Sequence, residues 1–132
     1  MKRSQHRRGA DSFEVVRTVG LALPGVEATI KYDRSPVLKL RGVFLAGLAT
    51  HRSAEPGTLV VRSDFEERDW LLADAPATYY VTPYYRPHPV VLVRLSQVDR
   101  EALHDLLSVS WRLAAAKTRF NFPRHLGPNP SR

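Results

Sequence analysis

The chain has 132 residues, 43% of them hydrophobic, and a formal net charge of +7, which predicts one globular domain with a substantial core. It contains no cysteine, so disulfides, thiolate nucleophiles, zinc–thiolate sites and cysteine-ligated iron–sulfur clusters are excluded. No apolar run approaches the roughly 20 residues that span a bilayer, and the basic start lacks the apolar segment of a secretory signal. We therefore expect a cytoplasmic protein with no membrane partner.

The positive charge is concentrated at the two ends of the chain. Residues 1–10 and 111–132 together carry 9 of the 20 basic residues and no acidic residue, whereas the middle carries 11 basic and 13 acidic residues. Basic tails contact nucleic acid in many proteins, and they also serve as solubilising termini. We predict a disordered basic tail over 1–10, a single domain over 11–117 and a flexible tail over 118–132.

Three segments show the helical spacing of apolar residues, and capping residues indicate where each begins. The first helix begins near Asp11 and ends before Pro24, because a residue that precedes proline is pushed out of the helical region. Asp64 caps the second helix, with Glu67 completing a capping box, and Asp99 begins the third. The apolar contacts expected of the second helix are Phe65, Trp70, Leu71 and Leu72.

Six segments carry the period-two pattern of half-buried strands. They are ATIKY (28–32), PVLKLRG (36–42), VFLAGLA (43–49), TLVVR (58–62), YYVT (79–82) and VVLVRL (90–95). The element order is α-β-β-β-β-α-β-β-α, in which strands follow one another rather than alternating with helices. We therefore predict an α+β fold with a mostly antiparallel sheet and the helices packed on one of its faces.

An ordered set of short motifs resembles the YjbR/MmcQ-like family of small bacterial proteins. The motifs are LALPGVE (21–27), PVLKLRGVF (36–44), LVVRSDFEERDWLLADAP (59–76), YYVTPYY (79–85), VVLVRL (90–95) and DREALHDLLSVSWRLAAAK (99–117). The resemblance implies an α+β fold similar to the secretion-chaperone-like group, a double-wing arrangement proposed to bind DNA, and no catalytic motif. One branch takes its name from a mitomycin resistance cluster, which suggests antibiotic handling in some members.

Two positions depart from the pattern of the family that the chain resembles. Val43 follows Gly42 where similar sequences often carry a lysine, and Val90 stands where many carry a tryptophan. If those residues bind a ligand in relatives, that role does not carry over to this chain.

The residue pattern gives little support to catalysis. None of the five histidines stands at a metal-ligand spacing from another histidine or a carboxylate, and no glycine-rich phosphate loop is present. The carboxylates of residues 64–69 lie at a helix start, where they complement the helix dipole. We predict a non-enzymatic protein with no cofactor and no metal.

Cations and aromatic residues indicate a binding surface on the outer face, which is the sheet face opposite to the helices. Alternation places Lys31, Lys39, Arg41, Arg62 and Arg94 on this face, next to the proline-bracketed turn over residues 83–89 that we call the wing. The predicted nucleic-acid-binding residues are Lys39, Arg41, Arg62, Tyr84, Tyr85, Arg86, His88 and Arg94. The leading hypothesis is weak DNA binding directed mainly at the phosphate backbone, through the basic face and the wing.

A second hypothesis starts from apolar residues of the same parity. Alternation predicts that Val37, Val60, Val90 and Leu92 are exposed on the outer face among the cations. Such a face suits a small aromatic ligand of antibiotic type, a protein partner or a weak homodimer, so we expect either a monomer or a weak homodimer. Glu27 and Asp33 have the parity of Lys31 and would dilute a basic patch.

Overall fold

A computed structural model of the protein describes residues 8–126, and within them the side chains of residues 13–118. The elements in chain order are α1 (Arg8–Leu21), β1 (Val26–Ile30), β2 (Pro36–Leu40), β3 (Val43–Leu48), β4 (Thr58–Arg62), α2 (Phe65–Asp74), β5 (Tyr79–Tyr80), β6 (Val90–Arg94) and α3 (Arg100–Leu126). This order confirms the predicted succession of helices and strands. None of the helices in this described part is long and apolar enough to cross a membrane.

The strands form one antiparallel sheet of six strands in the order β1-β2-β3-β4-β6-β5. The β2–β3 hairpin closes through two residues, Arg41 and Gly42, with φ angles of 49° and 83°. Positive φ at both central residues matches the type I′ turn that fits the twist of a hairpin. Because Arg41 sits in this turn, it leaves the strand alternation from which its position was predicted.

All three helices pack on the same face of the sheet and build the main hydrophobic core there. The helices contribute Phe13, Val16, Val19, Leu71, Leu103, Leu106, Leu107, Ala114 and Ala115. The strands contribute Leu38, Leu40, Leu59, Val61, Val91 and Val93, among others. The predicted α+β class with helices on one face is thereby confirmed. A side chain at Gly20 would overlap Leu38, so glycine lets α1 lie close to β2.

A β-bulge interrupts the regular alternation of β3. Opposite β2, Leu38 pairs with Ala46 and Lys39 pairs with Phe44, so Leu45 is the extra residue. Leu45 and Ala46 consequently both belong to the main core. The fully buried hydroxyl of Ser110 on α3 donates a hydrogen bond to the Leu45 carbonyl oxygen at 3.2 Å. This bond attaches the centre of α3 to the irregular part of the sheet.

We expect Ser110→Ala to lower the free energy of unfolding by about 1–3 kcal/mol, because the buried Leu45 carbonyl loses its donor. Ser108→Ala on the same helix is the control, since it brings the same gain in helix propensity without removing that bond. Urea unfolding of both variants measures the difference. Equal stabilities of the two variants would contradict a structural role for the Ser110 hydroxyl.

A second, smaller apolar cluster covers part of the outer face. Val60, Leu92 and Tyr85 of the wing are buried in it, with Phe44 and Tyr80 packed against them. The prediction that Val37, Val60 and Leu92 are exposed is therefore wrong. The parity of the strands was correct, but the chain after β5 folds back over the sheet and removes Val60 and Leu92 from water. Val90, at the end of the wing, is half-buried.

The helix bounds also differ from the predicted ones. Helix α1 begins at Arg8 and α3 continues to Leu126, so both extend into the segments predicted as tails. The remaining parts of those tails, 1–7 and 127–132, lie outside the described residues. In α2 the expected contacts of Phe65 and Trp70 are wrong, since both are exposed. The buried residues of this short helix are Arg68 and Leu71, and Leu72 packs against the main core as predicted.

Candidate functional site

The wing is held in place by hydrogen bonds within its own turns and by a neighbouring loop. The Tyr85 and Arg86 amides both donate to the Thr82 carbonyl oxygen, at 3.0 and 2.9 Å, and the His88 amide donates to the Tyr85 carbonyl. The loop over residues 49–57, which joins β3 to β4, lies beside it. The backbone amide of His51 in that loop donates to the buried Tyr85 hydroxyl at 3.3 Å.

Further polar contacts connect the same two segments. The hydroxyls of Ser53 and Thr82 are 2.8 Å apart, so the loop also bonds to the residue just before the wing. The Tyr80 hydroxyl of β5 accepts a bond from the Glu55 amide at 2.8 Å and lies 2.6 Å from the Thr58 hydroxyl. The wing and the 49–57 loop are therefore one cross-linked structure over the outer face.

Three rings meet where the wing touches this loop. The His51 and Tyr84 rings stack with their centroids 3.5 Å apart and an angle of 7° between their planes. Tyr85 meets Tyr84 edge to face at 4.9 Å and His51 edge to face at 6.2 Å. Tyr85 is buried, whereas Tyr84 remains 53% exposed. The arrangement leaves part of an aromatic ring open to solvent on a supported backbone.

A cleft of about 230 Å³ opens beside these rings, and we call it the wing cleft. Its lining residues are Lys31, Phe44, Gly47, Leu48, Thr50, His51, Val60, Tyr84 and Tyr85. This set contains one lysine and no carboxylate. Gly47 has no side chain to displace Phe44, which lies against the strand at that point. The wing cleft can therefore accept a flat apolar group with a negative charge near Lys31.

Two of the predicted binding cations are engaged in bonds within the protein. The Arg94 guanidinium donates two bonds to the Glu55 carboxylate, at 3.0 and 2.9 Å, and lies 4.2 Å from the Tyr80 ring centre. Its bonding to Glu55 raises the pKa of Arg94 and lowers the pKa of Glu55. The half-buried Arg62 donates to the Phe44 carbonyl oxygen at 2.6 Å, and burial lowers its pKa. Both arginines support the outer face rather than offering a free charge.

The other predicted residues do not form one continuous patch. Arg41 turns towards the helix layer, where its Nη1 donates to the Thr118 hydroxyl of α3 at 3.4 Å, so its predicted place on the outer face is wrong. Lys39 lies on the outer face, directly opposite Glu27 of β1. Arg86 and His88 are exposed on the wing. Of the eight predicted residues, only Tyr84 and Tyr85 line the wing cleft.

Comparisons with known proteins identify the family to which this domain belongs. The YjbR family model matches residues 21–113, which is more than half of the chain. The chain belongs to the YjbR family. The match includes the whole sheet, the wing and the wing cleft. A crystal structure of the Deinococcus radiodurans protein DR2400, which has a DUF419 domain, is similar with a TM-score of 0.63 and 25% identity over 77% of each chain.

The similar curated proteins have no described activity. The uncharacterized proteins Rv2570 of Mycobacterium tuberculosis and Mb2600 of Mycobacterium bovis are 38% identical to this YjbR-family chain over 47 residues. That match spans 36% of this chain and 36% of each relative. The chain therefore aligns with only about a third of the length of these relatives.

Most lining residues of the wing cleft in this YjbR domain were not among the predicted binding residues, and three of them carry the proposed chemistry: His51, Phe44 and Lys31. His51 stands in a loop of turn-forming residues, and no spacing in the sequence relates it to Tyr84, 33 positions later. Phe44 was assigned to a strand without its outward direction, because the bulge that follows it has no sequence signal. Lys31 was placed on the outer face but was not among the predicted binding residues.

Proposed function

We propose that the wing cleft binds a small planar aromatic ligand that carries an anionic group. The observation that carries this proposal is the stacked pair of His51 and the half-exposed Tyr84 beside Lys31. An aromatic ring gains from offset or edge contacts with other rings, and a lysine supplies the counter-charge. The proposed role is binding without catalysis.

The size of the wing cleft limits the ligand. Sites for drug-sized ligands measure about 300–1,000 Å³. The wing cleft has about 230 Å³, so the ligand is expected to have one or two rings. The side chains of Phe44, Leu48 and Val60 in its lining offer apolar contacts to a ring system, which a sugar or a free phosphate would not use.

DNA binding through the same surface is the second candidate. A base with its phosphate presents the same combination of a flat ring and a negative charge, and single-stranded nucleic acid is commonly bound by stacking on exposed rings. The exposure of Tyr84 and Arg86 on the wing favours single strands. The engagement of Arg62 and Arg94 within the protein leaves few cations to follow a duplex backbone.

Calorimetric titration with naphthoate and its neutral amide tests the first candidate. We expect naphthoate to bind more tightly than the amide, and Tyr84→Leu to weaken naphthoate binding by about tenfold through the loss of stacking. Tyr32→Leu is the matched control, because Tyr32 is fully exposed in the β1–β2 turn and does not line the wing cleft. No binding of naphthoate, or equal losses in the two variants, would contradict the proposal.

Substitutions of two lysines distinguish binding of the small ligand from binding of DNA. Lys31→Gln should weaken naphthoate binding, whereas Lys39→Gln should not, since Lys39 does not line the wing cleft. For an oligothymidylate of about ten nucleotides, both changes should weaken binding, with a log–log salt slope of about −0.7 per phosphate contact. Oligonucleotide binding that depends on both lysines and on Tyr84, without naphthoate binding, would favour DNA.

A further inference from the structure

A second cavity lies on the opposite side of the molecule, in the helix layer. It is a groove of about 460 Å³ between α2 and α3, with Tyr79 of β5 in its lining, and we call it the α2–α3 groove. This volume falls within the range of about 300–1,000 Å³ that is typical of small-molecule sites. Trp70 of α2 lines it and is 63% exposed, although an indole ring of this size usually lies in an interior or an interface.

The charged side chains that line the groove are all acidic. Its lining includes four carboxylates, Glu67, Asp74, Asp99 and Asp105, and no lysine, arginine or histidine. The pKa of the Tyr79 phenol is raised, first by burial and then by the negative charge of these same four groups. Arg112 lies close enough to Glu67 to act on its pKa, but it is not a lining residue.

The apolar part of the lining faces the same space. Leu71 of α2 and Leu106 of α3 are buried parts of the main core that also line the groove, together with Val98 and Val109. Tyr79 is only 7% exposed, and no hydrogen bond of its hydroxyl is found among the described residues. The hydroxyl is not one of the fully buried atoms that lack a partner, so it meets solvent in the groove, where a ligand can replace that solvent.

We propose that the α2–α3 groove binds a small organic cation with an apolar body. The apolar body lies against Leu71 and Leu106, and the cationic group is held by the carboxylates of Asp74 and Asp105. The exposed indole of Trp70 offers a face for a cation–π contact. Tryptophan is the aromatic side chain that organic cations prefer. An anionic or purely apolar ligand would lack this complementarity, since the four carboxylates repel the first and make no charge contact with the second.

This site is separate from the wing cleft, because the two cavities share no lining residue and lie on different faces of the sheet. Its ligand chemistry is also of the opposite charge. The proposal therefore stands or fails independently of the function proposed for the wing cleft.

Titration of the full chain with naphthylmethylammonium, and with naphthylmethanol as its neutral counterpart, tests the proposal. We expect saturable binding of the cation, with amide NMR shifts at residues 70–75 and 97–106, and clearly weaker binding of the alcohol. The double variant Asp74→Asn/Asp105→Asn should weaken binding of the cation by about tenfold, through the loss of two charge contacts. Trp70→Leu should weaken it further, and Tyr84→Leu should leave it unchanged.

Asp69→Asn is the matched control, because Asp69 is an exposed carboxylate on the same helix that does not line the groove. We expect it to leave the affinity within about twofold, as for other exposed charges that make no specific contact. Equal binding of the cation and the alcohol would overturn the proposal. So would an Asp69→Asn loss as large as that of the double variant, since attraction would then come from overall charge.

Discussion

Replacing Leu92 by alanine should lower the free energy of unfolding by about 2–5 kcal/mol, the usual cost of removing a large side chain from a packed interior. Leu92 is 0% exposed, although it points away from the helices. It lies opposite Val60 and Tyr80 in the sheet, and Tyr85 of the wing belongs to the same cluster. The size of the effect depends on the wing closing over the sheet.

Urea unfolding gives the measurement, and Ile30→Ala supplies the control. Ile30 is an exposed residue at the end of β1, so its replacement should change stability by no more than about 0.5 kcal/mol. If Leu92→Ala cost as little as Ile30→Ala, the outer face would be open to water and the second apolar cluster would not exist in solution.

Replacing Arg68 by methionine should cost about 3 kcal/mol, because a charged donor to two carbonyl groups is lost. The side chain is 6% exposed, and its Nη1 donates to the carbonyl oxygens of His88 and Val90 at 3.0 and 3.1 Å. Its guanidinium carbon also lies 4.8 Å from the centre of the Phe65 ring. Methionine keeps much of the apolar volume, so the loss reports mainly on the hydrogen bonds.

The same substitution should also loosen the wing. His88 is the next-to-last residue of the wing and Val90 begins β6, so Arg68 attaches α2 to this end of the wing. We expect faster amide hydrogen exchange in residues 83–89, and weaker naphthoate binding than in the parent protein. Arg112→Met, at an exposed position of α3, should change neither property. An unchanged exchange rate in the wing of Arg68→Met would contradict the role assigned to Arg68.

Much of the fold follows from local patterns that the sequence displays. The capping residue of α2 was predicted correctly, since Asp64 accepts a bond from the Glu67 amide at 2.7 Å. Strand parity was also correct for β4 and β6, where Leu59, Val61 and Val91 face the main core. These features depend on a few neighbouring residues, and their physical causes are visible in the sequence.

The candidate site was predicted only in part, because it depends on contacts between distant segments. The flanking prolines placed Tyr84 in the wing, but nothing in the sequence predicted that its ring stacks on His51 of another loop. Strand alternation placed Arg94 on the outer face, but it did not predict that the Glu55 carboxylate binds the Arg94 guanidinium there. The left-handed backbone of Arg41 moved that residue out of the predicted patch. A single residue in a turn therefore changes which face a charge occupies.

Two cavities on opposite faces of the sheet are lined by side chains of opposite charge. The predicted basic residues of the outer face do not form one patch, and the wing cleft instead places one lysine beside aromatic walls, with no carboxylate in its lining. On the helix side, four carboxylates, from α2, α3 and the turn before α3, line one groove. The two proposed sites therefore take ligands of opposite charge on opposite sides of one small domain.

The amide NMR spectrum of the isotope-labelled protein, recorded during titration with naphthoate, shows where this ligand binds. Binding in the wing cleft predicts saturable shifts in residues 47–53 and 84–85, around the rings of His51 and Tyr84, and their loss in Tyr84→Leu. Shifts confined to α2 and α3, or spread over the basic ends of the chain, would contradict the assignment of the wing cleft as the ligand site.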